Sequence, residues 1–344
     1  MGNARGILTR LRRRLLAAGA GACLMAGLSA MSLPAMAQVG PIVVESQAIG
    51  RFDASGNNRL GVLEFKGGLV LSSSSQDFGG ISGLSIAPDG AGFLAITDRG
   101  NWLSGTIRQS GDAPIGMTGV TLTPMLGPNG RTLASQGSGD AESLTRSPEG
   151  YVVGVERRHG IWLFPGDQPL TARGELIVPG GVFKALGANE GVEALLVPPP
   201  GSPYALIAVG EVDAGDPTSL PGFLFSPLRG GGLAGTFTIQ RTDEFAATDM
   251  ALADDGRVYL LERRYDMLRG VAMRIRRFAL ADIVPGARLA GEVLIEANRL
   301  ASIDNMEAIA VHRGIAGEVI LTLISDNNFS LLQRTVLLRF AVLR

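Results

Sequence analysis

The sequence predicts an all-β fold, a single β-propeller, on three observations. A hairpin unit recurs five times at near-constant spacing, which is how stacked or radial repeats show themselves in sequence. Its apolar runs are short and β-branched and lack helical periodicity. Its turns carry Gly and Pro, in a chain with 48 Gly and 18 Pro among 344 residues, and these supply the permissive and fixed φ that a chain reversal needs.

The clearest copy is DAESLTRSPEGYVVGVERRHGIWLF, Asp140 to Phe164. It reads as an acidic corner, a short strand, a turn at Ser147-Pro148-Glu149-Gly150, and a strand from Tyr151 to Val155 ending in a second corner, Glu156-Arg157-Arg158. An earlier copy, GGISGLSIAPDGAGFLAITDRG, turns at Pro88-Asp89-Gly90 and ends at Asp98-Arg99. NEGVEALLVPPPGSPYALIAVGE follows from Asn189 to Glu211, ATDMALADDGRVYLLERR from Ala247 to Arg264, and DNMEAIAVHRGIAGEVILTLISDNNF from Asp304 to Phe329. First-corner residues align at Ser82, Glu142, Glu193, Asp249 and Glu307, spaced by 60, 51, 56 and 58 residues. Second-corner residues align at Asp98, Glu156, Glu211, Glu262 and Asp326. A repeat slightly longer than an ordinary blade fits a propeller with long loops on one face, and is too long for a β-helix.

Residues 1–37 read as an export signal: Arg10, Arg12, Arg13 and Arg14, a largely apolar run from Leu15 to Leu33, and an Ala35-Met36-Ala37 cleavage pattern. Glycines at 19, 21 and 27 and Pro34 argue against a permanent span. Either Sec or twin-arginine export would deliver a periplasmic or secreted protein with no membrane attachment after cleavage. The single cysteine, Cys23, lies in this segment, so residues 38–344, one propeller domain, have neither disulfides nor thiolate chemistry. That domain carries 26 basic and 32 acidic residues, a balance that opposes nucleic-acid binding and not the binding of a cation.

Strand-like runs at Pro41 to Val44, Leu60 to Phe65 and Gly68 to Leu71 precede the first copy, and Thr335 to Leu343 follows the last. Strands from both chain ends suit the closure of a propeller ring within one blade, which hides the sheet edges. Mature length at about 51 residues per blade gives six blades, while the visible copies allow five. Ser110 to Gly139 reads as a strand and loop excursion, Asp213 to Gly235 as loop material, and Ala279 to Pro285 as one helical turn. A monomer is expected.

In a propeller the first strand of every blade lines the central channel. Glu142, Glu193, Asp249 and Glu307 then converge, with Asp140, Glu190 and Asp304 close behind. Carboxylates gathered without cations resist ionising. A divalent metal resolves the repulsion, and Ca2+ accepts six to eight oxygens. The competing reading has each acid cap a turn or pair with an arginine of the next blade. At the second corners, Arg99, Arg157 and Arg263 offer planar donor forks that suit phosphate, or equally form ion pairs between blades. Two histidines, His159 and His312, cannot assemble a His-rich zinc site. Gly80-Ile81-Ser82-Gly83-Leu84 misses the last glycine of a nucleophile elbow.

Taken together, GGISGLSIAPDG…AITDRG, DAESL…VERRHGIW, NEGVEAL, LLERRYD…RIRR and DNMEAIAV…LISDNNF…QRTVLLRF resemble the bacterial "esterase-like activity of phytase" family, from about Phe65 to Arg344. The resemblance implies a phytase-like propeller and a metal-dependent hydrolase acting on a small phosphorylated or ester substrate. It matches Glu142, Glu193, Glu307 and Asp326 to the family's acidic motifs, and departs from them at Ser82. The expected metal ligands are Glu142, Glu193, Glu307 and Asp249, with Glu193, Asp98 and Asp326 catalytic and Arg99, Arg157 and Arg263 binding substrate. Alternatives are a gluconolactonase-like lactone or ester hydrolase, and a non-catalytic periplasmic binding propeller.

Overall fold

The computed structural model describes residues 40–343 except 158, 184, 185, 187–190, 267 and 268. The expected export signal and Glu190 lie outside the described residues. Among those described, the only helical pieces are three 3-10 turns, and none is long and apolar enough to cross a membrane.

Five sheets, antiparallel except at one edge of blade three, form the blades of a propeller. Their innermost strands are Ile81–Ile86, Ala141–Ser147, Val192–Leu196, Ala246–Leu252 and Asn305–Arg313, each packing on the next and the last returning to the first. Each inner strand turns back through a hairpin at the expected place, for example Ser147 to Gly150 and Ala253 to Gly256. Alternation of side chains between two sheet faces then buries one apolar set on each side of every blade. The core is accordingly divided into five layers between adjacent blades. Trp102 of blade one, fully buried, meets Phe164 of blade two edge-on at 4.9 Å between ring centroids.

Blade five closes the ring. Its sheet runs Asn305–Arg313, Val319–Asp326 and Thr335–Val342, then accepts Leu63–Ser72 and Glu45–Ile49 from the other end of the chain. The blade count is therefore five, the smaller of the two counts the sequence allows. Division by length overcounts because the extra residues go into additional strands at blade edges. Gly40–Pro41 lengthens blade one, Arg288–Leu289 adds a parallel edge to blade three, and the N-terminal strands widen blade five.

One segment read as loop is core. Within 213–235, Ser219–Phe225 is a wholly buried strand of blade three, and Leu233–Gln240 begins its neighbour. Pro221 and Gly222 hide it, since both weaken a strand reading. Gly222 is needed there: an added Cβ would lie 2.3 Å from the ring of Phe237, which crosses the strand. The expected helical turn after Ala279 is present as Leu280–Asp282.

Candidate functional site

The inner strands deliver side chains to the channel through a shared irregularity. In each blade the ladder between first and second strands skips one inner-strand residue: Ile81 and Gly83 pair while Ser82 does not, and the same happens at Glu142, Glu193, Thr248 and Glu307. Such a bulge re-aims the unpaired side chain. Ser82, Glu142, Glu193 and Glu307 all line a pocket of about 210 Å3 at the channel mouth. The second strands end beside it, and the residue after the last equivalent pair is Asp98, Glu156, Glu211, Arg263 and Asp326 in blades one to five. All five line the same pocket, together with Asp140, Arg157 and Asn328.

Blade four therefore departs from the alignment expected from sequence. Its bulged residue is Thr248, and its corner residue is Arg263. Asp249 points away from the pocket: Oδ1 accepts the Met250 N–H at 2.8 Å and Oδ2 the Ile309 N–H of blade five at 2.8 Å. Glu262 is fully buried elsewhere, between Arg274 and Arg276, with Nε–O contacts of 2.8 Å to each. The apolar residue two places beyond each bulge (Leu84, Leu144, Leu195, Met250, Ile309) marks the true register. Arg99 also stands apart, its guanidinium 3.3 Å from the ring centroid of Phe329 and 3.4 Å from Asp77. Of the expected residues, Asp98, Glu142, Glu193, Glu307, Asp326, Arg157 and Arg263 are brought together, and Asp249 and Arg99 are not. Glu211, Glu156 and Asp140 join them without having been singled out for a role.

The pocket is unbalanced in charge, with eight carboxylates facing two arginines. Arg263 Nε lies 2.9 Å from Glu307 Oε1, and its Nη2 lies 3.8 Å from Glu211 Oε1. Arg157 Nε approaches Asp140 Oδ2 at 2.6 Å, a close Coulombic contact whose geometry is not that of a hydrogen bond. Asn305 Nδ2 donates to Glu307 Oε1 at 2.5 Å. Glu142, Glu193, Asp98 and Asp326 are less compensated, and their protons are held more tightly. Burial first, and then the Glu193 carboxylate, pushes Glu142 well above the ordinary range; burial and Glu211 do the same to Glu193. Burial and Asp326 raise Asp98 to about 7, and burial raises Glu307 to about 7 against the pull of Arg263. Asp326 is raised by burial although the Asn328, Gly80 and Ile81 N–H groups donate to it.

These residues fit a hard divalent cation. Oxygens of Asp140, Glu142 and Glu156 all lie within 4.8 Å of one another. One oxygen of Asp98 is buried without a hydrogen-bond partner. Gly191 leaves space where three acids meet: a Cβ there would fall 2.4 Å from Glu193 Oε1 and within 3.5 Å of the Glu156 and Glu142 side chains. Oxygen donors of this number and charge are what such ions select.

Residues 76–329 match the family model described as phytase-like, esterase-like activity of phytase. No curated protein matches the sequence. Among solved structures the similarity is distant. An α-L-arabinofuranosidase from Podospora anserina in complex with cellotriose is 12% identical over 77% of this chain and 92% of its own, with a TM-score of 0.48. An exo-1,5-α-L-arabinanase from a bovine ruminal metagenomic library is 11% identical over 75% of this chain and 92% of its own, with a TM-score of 0.47. The PQQ-bound aldose sugar dehydrogenase of Streptomyces coelicolor is 11% identical over 88% and 99%, at 0.42. Similarity this low carries nothing about substrate or chemistry.

Proposed function

Since the chain belongs to the phytase-like family, esterase-like activity of phytase, we infer that the acidic mouth of its propeller is a metal-dependent hydrolytic site for phosphate esters or phosphodiesters. The observation that carries this is the charge imbalance: eight acids from four blades meet two arginines in one pocket. Glu142, Glu193 and Glu307, with Asp140 and Glu156 beside them, would hold a divalent cation such as Ca2+. When bound, the ion supplies a Lewis acid for a phosphoryl oxygen and offsets the repulsion among the acids.

The remaining roles follow from position. Arg157 and Arg263 are the cations nearest the acids, and their forks suit the non-reacting phosphate oxygens. Arg263 is held by Glu307, so its donors are oriented before substrate arrives. Asp98 lies across the pocket in blade one, with one oxygen lacking a hydrogen-bond partner. To it the proposal gives the proton transfer, taking a proton from attacking water or giving one to the leaving alcohol. Asp326, tied to the backbone at Gly80 and Ile81, joins the edges of blades five and one. The proposed site of action is the periplasm or exterior, after removal of residues 1–37.

The test is hydrolysis of a panel of phosphomonoesters, phosphodiesters and lactones by the mature protein, with Ca2+ and with EDTA. Phosphoester turnover that is lost on chelation and restored by metal is expected. Turnover of lactones alone would move the reading to a gluconolactonase-like enzyme. A folded protein that takes up no metal would leave only a binding propeller.

A further inference from the structure

Beside the acidic pocket, sharing Arg263, Glu307 and Asn328 with it, lies a larger cleft of about 740 Å3. Its walls are Tyr265, Gly270 and Val271 of blade four, residues 299–304 after Glu292–Asn298, and the loop between Asp326 and Thr335. Two exposed apolar side chains stand on these walls. Tyr265 is 65% exposed and Leu332 94%, and both line the cleft. An apolar rim around a polar site is a place where apolar surface is received.

The cleft's charges also differ from those of the pocket. Its acids are covered: Asp304 Oδ2 accepts from the Arg334 N–H at 3.2 Å and Nε at 3.3 Å, and Glu307 is held by Arg263. Arg334 is anchored again through Nη2 on the Ile303 carbonyl at 3.0 Å. Arg299 is exposed and makes no ion pair among the described residues. The uncompensated charge on this wall is thus small and positive, while the adjoining pocket is acidic.

We propose that this cleft holds the non-reacting part of the substrate, and that this part is an apolar chain or ring carrying at most one further anion. The inference rests on the hydrolytic reading of the acidic pocket. The substrate class is an aryl- or alkyl-substituted phosphodiester, not a multiply phosphorylated polyol. Each phosphomonoester group brings nearly two negative charges at neutral pH. One unpaired and one anchored arginine cannot balance several such groups beside eight acids. An apolar substituent instead meets Tyr265 and Leu332, where each buried methylene is worth about fourfold in affinity. In the reaction, water adds to phosphorus and one P–O ester bond breaks. The alcohol or phenol leaves with a proton, and the phosphomonoester remains.

Two measurements separate this inference from the reading beneath it. The first gives the mature protein and Ca2+ a series of p-nitrophenyl phosphodiesters whose second substituent is methyl, butyl or phenyl, with inositol hexakisphosphate for comparison. kcat/KM should rise at least about tenfold from methyl to phenyl. Leu332→Ser combined with Tyr265→Ala should flatten that rise, and both side chains are exposed enough to be replaced without loss of fold. A flat series, or preference for the hexakisphosphate, overturns the inference while metal-dependent turnover of any ester leaves the hydrolytic reading standing. The second measures calorimetric binding of phenylphosphonate, which needs no turnover, to wild type and to the Tyr265→Ala/Leu332→Ser variant with Ca2+ present. Weakening by about fourfold or more in the variant, even with no ester hydrolysed, supports the cleft and sinks only the hydrolytic reading. Equal binding by both proteins, or none by either, overturns the cleft.

Discussion

Glu262 and Glu193 are both buried acids of the same propeller, one strand apart in their blades, and the protein treats them oppositely. Glu262 is enclosed by Arg274 and Arg276, which bring four N–H donors onto its two oxygens at distances from 2.6 to 3.2 Å. Glu193 is surrounded by Glu211, Glu307 and Glu156, with Arg263 the cation that acts on it. A buried carboxylate without compensation is expensive, and blade four demonstrates the chain's own remedy. Leaving the channel mouth unbalanced is thus not forced by the fold. The difference marks one acid as part of the framework, and in the function proposed above the other is a ligand for a cation from solution.

The sharpest break of this comparison is to neutralise each acid in turn. Glu262→Gln strands two buried guanidinium groups and should cost about 3–5 kcal/mol of stability, read from urea denaturation. Activity should fall only as far as folded protein is lost. Glu193→Gln should do the reverse. It removes repulsion, so the metal-free protein should be as stable as wild type or more so, while Ca2+-dependent ester hydrolysis should drop by two orders of magnitude or more, on the order of the loss of one strong transition-state interaction. If Glu193→Gln destabilises the protein as Glu262→Gln does and leaves full activity, both acids are framework and the site reading fails.

Metal and pH give the next effect. Asp98 and Glu307 are raised to about 7, and Glu142, Glu193 and Asp326 are raised as well. For an acid whose folded pKa exceeds its unfolded one, the stabilising contribution is complete below the unfolded value and is lost as pH rises through the folded one. Metal-free protein should therefore weaken as pH climbs from about 4 towards and beyond 7. His312 acts in the opposite direction: burial, with Arg339 next, lowers it to about 4, so its contribution is lost as pH falls from 6.5 to 4. Between pH 6.5 and 8 the acids act alone, and melting temperature without metal should decline there. Ca2+ at a hundredfold excess over its Kd should add about 2.7 kcal/mol and flatten the decline. An unchanged slope with Ca2+ would mean that the acids do not meet the ion.

Much of this architecture is legible in the sequence because turn chemistry is local. Pro148 with Gly150, and Asp255 with Gly256, announce reversals whatever the strands around them do. Closure by Thr335–Val342 beside Leu63–Ser72 is legible because both ends hold strand runs with no other partner. What could not be read is register. A bulge shifts pairing by one residue, and in a strand one residue reverses the direction of every side chain. In blade four the acids in Thr248-Asp249 and Glu262-Arg263 draw attention, while the ladder bulges at Thr248, whose hydroxyl faces the Leu261 and Met306 carbonyls, and sends Arg263 to the pocket. Arg99 misleads for a different reason, since stacking on Phe329 depends on a contact with blade five that no local pattern carries.

Asp249 offers the finest test of that register. If it were a fourth ring ligand, Asp249→Asn would weaken metal binding and activity. The structure has both its oxygens accepting backbone N–H groups, one within its own strand and one from Ile309 of the next blade. The side chain thus ties inner strands four and five together, and burial holds its carboxyl well above the usual range. An amide keeps one acceptor and turns an NH2 towards the other N–H, so Asp249→Asn should cost about 1–3 kcal/mol of stability. Ca2+ affinity and kcat/KM should stay within about twofold of wild type at temperatures where the variant remains folded, since neither of its hydrogen bonds reaches the pocket. A loss of Ca2+ affinity above tenfold with stability intact would put Asp249 in the ring. Because the effect on folding is small and the expected effect on metal is nil, denaturant titration and calcium calorimetry on the same preparation are enough to decide it.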